Sequence, residues 1–154
     1  YSGIGIAYHK LGKIQEAKDT YKECASHVNA VSATCHNNIA MIFLGEGNLT
    51  EAKKYLDQGY EQFHNADNLK LTYADYYRQV GFKDIQNKDF AAAINNLNNS
   101  IEYDNTNGVT YVFSGFAYYA NGHLAEAKKV IRWGLQLDPS LRQQYETIDQ
   151  ILNQ

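Results

Sequence analysis

Proline is almost missing from this chain: Pro139 stands alone among 154 residues. Proline removes a backbone donor and breaks helices, so its scarcity leaves room for long uninterrupted ones. Cysteine is scarce as well. Cys24 and Cys35 are too few for the disulfide framework of a small secreted scaffold. Two free thiols packed among apolar neighbours is the ordinary reading. The placement of both near the junction of two repeats leaves a bridge geometrically open. Lysine and arginine form no block, and the net charge is −3, so nothing concentrates the cations that a nucleic-acid backbone requires. No apolar run approaches the 18 residues of a membrane-spanning helix, and no charged-apolar-small leader opens the chain.

Motifs of catalysis are missing in the same way. Gly45, Glu46 and Gly47 lack the lysine and the spacing of a phosphate loop. No serine occupies a nucleophile elbow. Cys24, His27, Cys35 and His36 are residue types that zinc accepts, but Cys24 and His36 fall at positions that packing claims, so no metal site is assigned. His9, His64 and His123 stand singly near helix ends or turns. The sequence therefore yields no catalytic residue, no cofactor and no metal, and the chain is not read as an enzyme. Two glycosylation triplets, at Asn48 and Asn98, fall at or within expected helices and carry little weight.

What the chain does have is a spacing, repeated four times. An anchor is followed at fixed offsets by a turn residue, an alanine and a large apolar residue. The sets are Tyr8, Gly12, Ala17, Tyr21; Phe43, Gly47, Ala52, Leu56; Asp84, Lys88, Ala93, Leu97; and Tyr118, Gly122, Ala127, Ile131. The alanines lie 35, 41 and 34 residues apart. Self-similarity at that period is the signature of stacked helical pairs. In the second copy Ile39, Ala40 and Phe43 form one apolar stripe and Leu49, Ala52, Leu56 and Tyr60 another, with a glycine-rich break between them. Lys88 stands where the other copies have glycine, so the third turn is expected to be looser or strained.

Small residues recur where two helices must cross. They are Gly5, Ala40, Gly81 and Gly115 before the turns, Ala17, Ala52, Ala93 and Ala127 after them, and Cys24, Gly59, Ser100 and Gly134 seven positions later. A helical glycine costs about 1 kcal/mol against alanine, so glycines in register need an offsetting gain. Close packing of helix axes supplies it. The 41-residue step adds about seven residues, or two helical turns, near residues 63–69. Long helices are expected over 49–64 and 69–86. After Asp138, Pro139 and Ser140, the apolar residues Leu141, Tyr145, Ile148, Ile151 and Leu152 share one face of a closing helix, with Ser140 as its cap.

In these residues the chain resembles the tetratricopeptide repeat family. The fourth copy fits best, with Tyr111, Gly115, Tyr118, Gly122, Ala127 and Pro139 in register, while Asp84 and Asn105 depart from the pattern in the third. The fold class expected is all-α, a right-handed α-solenoid of four antiparallel helix pairs plus a C-terminal capping helix. One array would span 1–154, with repeats at about 1–30, 31–67, 68–107 and 108–139 and the closing helix at 140–153. Because the chain opens inside a repeat, it is expected to be the C-terminal part of a longer protein.

The resemblance also implies a function: a scaffold or adaptor that binds another protein or an extended peptide, with no nucleic acid and no membrane insertion. It implies that the first helix of each pair lines a concave groove. The groove residues expected are Asn37, Asn38, Met41, Arg78, Gln79, Phe82, Phe113, Phe116 and Tyr119, with Ser2, Ile6 and Val112 on the same faces. Amides can bond a peptide main chain without regard to its sequence, and aromatic pockets can then select side chains. The competing reading makes these aromatics inter-repeat core. Chaperone-binding members grip a C-terminal carboxylate with Lys, Asn and Arg. Here the corresponding places hold Ser2 and Ile6, then Asn38, then Asp75 and Gln79, so only Asn38 matches and Asp75 would repel the ligand. Two further readings share the same residues: a peptide-sensing arm of a larger regulator, and a targeting module of an enzyme whose catalytic domain lies elsewhere.

Overall fold

A computed structural model of the chain describes residues 1–27, 31–63 and 66–154, and among them every regular element is helical. The chain forms two compact units, Tyr1–Tyr76 and Tyr77–Gln154. Unit 1 holds α1 (Ser2–Lys10), α2 (Ile14–Ala25), α3 (Ser32–Gly45), α4 (Leu49–Gln62) and the first half of α5 (Asp67–Gln86). Unit 2 holds the second half of α5, then α6 (Phe90–Tyr103), α7 (Gly108–Ala120), α8 (Leu124–Leu137), α9 (Leu141–Gln144) and α10 (Thr147–Leu152).

All twelve of the small residues in register are buried. The four alanines have no exposed surface at all. At the glycines the reason is direct. A Cβ on Gly5 would stand 2.5 Å from the Tyr21 ring, and one on Gly81 would stand 2.6 Å from Cγ of Leu97. One on Gly134 would meet the Gly108 carbonyl oxygen at 2.7 Å. These glycines therefore mark places where one helix lies against a side chain or backbone of the next.

The four turns inside the repeats share one hydrogen-bond pattern. Lys13, Asn48, Asp89 and His123 donate their backbone N–H to the carbonyls of Tyr8, Phe43, Asp84 and Tyr118 at 2.8–2.9 Å. Gly12, Gly47, Lys88 and Gly122 donate to His9, Leu44, Ile85 and Tyr119, each at 3.0 Å. This is the Schellman closure of a helix end, which needs a left-handed residue. Gly12, Gly47 and Gly122 supply it with φ of 73°, 71° and 83°, and Lys88 with 61°. The third turn is therefore as tight as the others, and the expected strain sits in the Lys88 backbone itself. Asn48 and Asp89 then cap the following helices, accepting from the N–H of Glu51 and Ala92.

Two junctions between repeats are also alike. Asp104 accepts from the N–H and hydroxyl of Thr106 at 3.0 and 2.6 Å, and Asp138 does the same for Ser140. Asn105 can thus replace proline without changing the turn, because the aspartate organises it. Ser140 is spent on Asp138 and makes no side-chain cap to α9, contrary to the expected capping role.

The extra residues of the long step lengthen α5, which has 20 residues against 13 in α7. It begins at Asp67, two residues before the expected start, and ends at Gln86 as expected. The preceding helix, α4, stops at Gln62, and the expected end at His64 lies outside the described residues. The closing element comes in two pieces around Tyr145, whose backbone is extended. Its buried residues are those expected: Leu141, Ile148 and Ile151 pack with Val112, Ala127 and Ile131.

The free-thiol reading of the cysteines is overturned. Cys24 and Cys35 are joined, with Cα atoms 5.9 Å apart, and the bridge links α2 to α3 inside the core of unit 1. Cys24 sits at a small position and Cys35 directly across the helix junction, so packing brings the sulfurs together.

Lys88 gives the sharpest test of the shared turn. A non-glycine residue held in the left-handed region costs about 1 kcal/mol or more. Lys88→Gly is expected to raise unfolding stability by about 1 kcal/mol in urea titration, and Gly122→Ala to lower it by a similar amount. Equal stability in all three proteins would contradict a common turn geometry.

Candidate functional site

In unit 1 the first-helix surface is built by α3 and by the added turns of α5. Asn37, Met41, Asn68, Leu71, Thr72 and Asp75 line a cleft of about 310 Å³. Met41 and Leu71 keep 54% and 58% of their surface exposed, an unusual state for apolar side chains that flank one another. Asn37 is buried and committed: its carbonyl oxygen accepts from the Thr72 hydroxyl at 2.5 Å, and its amide approaches the Met41 sulfur at 3.4 Å. Asn38 is half-buried and lies beside the Tyr21 phenol. These two asparagines therefore hold helices together before they meet any ligand, while Met41 faces out.

Unit 2 carries the expected aromatics. Phe82 and Phe113 have ring centroids 4.5 Å apart, Phe113 and Phe116 5.5 Å, and Tyr145 stands edge-on to Phe113 at 5.5 Å and to Phe116 at 6.0 Å. All four are half-buried. The row thus serves as packing between helices and as a partly open surface together. Tyr119 is exposed, and its hydroxyl accepts from the Gln154 side chain at 2.7 Å. Arg78 and Gln79 are half-buried on α5. Val112 is fully buried in the core, so it leaves the set of surface residues.

A second cleft in unit 1, of about 350 Å³, lies on the second-helix side between Lys22, Ser26, His36, Tyr55, Gln58 and Glu61. Its lining is largely polar, and the flanking disulfide engages both cysteine sulfurs, leaving no thiolate for a metal. Sequence reasoning missed the Met41–Leu71 cleft. Its signal was available in the 41-residue step, since Asn68, Leu71 and Thr72 belong to the turns that step adds.

Burial raises the Tyr21 phenol above its ordinary value near 10, and hydrogen bonding from Asn38 offsets this in part. Tyr55 is raised as well, by burial first. In the unfolded chain these phenols ionise from about pH 10, whereas the folded chain holds the protons. Their stabilisation is therefore full below pH 10 and is lost as pH rises through the elevated folded values. Tyr21→Phe is expected to make the fall in stability above pH 10 shallower, measured by urea unfolding at a series of alkaline pH values. An unchanged slope would contradict the burial of an ionisable Tyr21.

Comparison with known proteins is consistent with this architecture. Residues 1–26 and 33–62 match the tetratricopeptide repeat model. No curated protein matches the chain in sequence. Among solved structures, MamA is similar with a TM-score of 0.67 and 18% identity, over 97% of this chain and 83% of that one. BtubC from P. vanneervenii gives 0.59 and 19%, over 92% and 63%. The first tetratricopeptide repeat domain of Spaghetti (RPAP3), bound to an HSP90 peptide, gives 0.53 and 23%, over 84% and 99%. At these identities the likeness is one of fold. With four turns and twelve small positions in register, the chain shares the fold of these proteins, and over residues 1–26 and 33–62 it matches tetratricopeptide repeats.

Proposed function

We propose that the chain is a protein-interaction scaffold whose first-helix surface holds an extended segment of another protein. The observation that carries this reading is the Met41–Leu71 cleft, where two apolar side chains stay in water around a space of about 310 Å³. Covering them removes apolar surface from water at about 25 cal/mol per Å². An aliphatic or aromatic side chain of the partner fits that space. Asp75 at its rim favours a basic neighbour on the partner and disfavours a terminal carboxylate. By itself, unit 2 offers the ring faces of Phe82, Phe113 and Phe116 to an apolar side chain, with the Tyr119 hydroxyl at the margin.

This specificity differs from that of a carboxylate clamp. The RPAP3 domain is seen with an HSP90 peptide. Here Asn38, the single matching position, is engaged by Tyr21. The rigid helix pairs supply a preorganised surface, which limits the entropy lost on binding.

The test is a screen of a displayed random-peptide library against the wild-type chain, followed by affinity measurement with variants. Met41→Glu and Leu71→Glu change exposed side chains and are expected to fold normally by circular dichroism. Each should weaken the selected peptides by about tenfold or more, since anchors dominate such interfaces. Phe116→Ala should weaken peptides selected on the aromatic row of unit 2. Selected peptides that bind all three variants with wild-type affinity would overturn the reading.

A further inference from the structure

The outer surface of α8 breaks the pattern of its own repeats. Ala127 and Ile131 face the core, leaving Lys129, Arg132, Trp133, Gln136 and Leu137 on one exposed stripe at helical spacing. Trp133 is 52% exposed and Leu137 45%. At the register of Trp133 the other second helices carry Glu23, Gln58 and Asn99, and at that of Arg132 they carry Lys22, Asp57 and Asn98. At the Arg132 register Asp57 and Asn98 bond the following first helix, through Tyr73 and through Ser114 and Tyr118. At the Trp133 register the side chain stands 52% exposed, so a tryptophan there meets no packing demand of the fold.

Charge on this helix also differs. Cations of the corresponding helices in unit 1 have carboxylate partners: Lys18 with Glu46, Lys22 with Asp19, Lys53 with Asp57 and Lys54 with Glu51, at 2.7–3.9 Å. Among the described residues, Lys128, Lys129 and Arg132 have no carboxylate within ion-pair distance. Glu126 is the single acidic residue of α8.

We infer that the outer face of α8 is a docking surface for an acidic amphipathic helix of a partner protein, separate from the first-helix surface. Trp133 and Leu137, one turn apart, form an apolar ridge for the partner's own apolar stripe. Lys129 and Arg132, up to one turn before Trp133 on the same exposed face, meet carboxylates placed beside that stripe. Tryptophan and arginine are the residue types that most often dominate protein interfaces. A lipid surface fits less well. Its recognition takes clusters of roughly four to eight cations with a broad apolar face, and this face of α8 offers two cations and two apolar side chains.

Trp133 is the chain's single tryptophan, so its fluorescence reports this face alone. The probe is a synthetic amphipathic helix of leucine and glutamate, beside the same peptide with lysine for glutamate. The glutamate peptide is expected to give a saturable blue shift that weakens as salt rises. The lysine peptide is expected to give none. The double variant Lys129→Glu/Arg132→Glu, checked for fold by circular dichroism, should bind at least about tenfold more weakly. Trp133→Ala should also weaken binding, read by anisotropy of labelled peptide, while Met41→Glu should leave it unchanged. The inference is overturned by no saturable shift with the glutamate peptide, by equal binding of the lysine peptide, or by indifference to charge reversal. It is also overturned if the shift appears with protein concentration alone, which marks a second copy on this face, or only with phosphatidylserine vesicles, which marks a membrane.

Discussion

Where Gly81 meets Leu97, and where Gly115 meets Ile131, two helices approach more closely than a β-carbon on the glycine would allow. The rest of the structure follows from that approach. It lets Leu97 and Ile131 bury completely, as the Gly5 crossing does for Tyr21. Each such glycine gives up helix propensity of about 1 kcal/mol relative to alanine. The apolar surface closed off by the tighter crossing offsets that cost. In unit 1 a different junction, between α2 and α3 of successive pairs, brings Cys24 and Cys35 within bonding reach, and the disulfide reinforces it.

A second constraint sets the direction of the chain. Each first helix ends on a left-handed residue whose turn directs the second helix back along it, and this geometry survives the change from glycine to lysine at position 88. The fold therefore tolerates a poor local residue when the surrounding hydrogen bonds determine the turn. It also tolerates extra length, provided that the length comes in whole turns. The longer α5 keeps its apolar face toward its neighbours and carries Leu71 out beside Met41. A departure from the regular repeat thereby creates a cleft flanked by the exposed apolar side chains of Met41 and Leu71.

Much of this was legible in the residues. The alanine spacing, the small positions and the glycine turns located the helices, and the two ends of α5 fell within two residues of expectation. The partners of polar groups were not legible. Asn37 and Asn38 read as open amides because a sequence shows which face a residue occupies and not what stands opposite; Thr72 and Tyr21 stand there. The cysteines share this limit, since their pairing depends on a helix junction fixed by residues elsewhere. Tyr145 kept the period of a continuous helix, yet its backbone extends and its ring turns onto Phe113 and Phe116, where tertiary contact outweighs local propensity.

The most direct test of the central claim is a double-mutant cycle on Gly81 and Leu97, measured by urea unfolding. If the glycine exists to make room for the leucine, Gly81→Ala destabilises the wild-type chain, although alanine is the better helix former. On the Leu97→Ala background the same change should be neutral or stabilising, with a coupling above about 1 kcal/mol. Equal stabilisation by Gly81→Ala on both backgrounds would show that the helices do not depend on that close crossing.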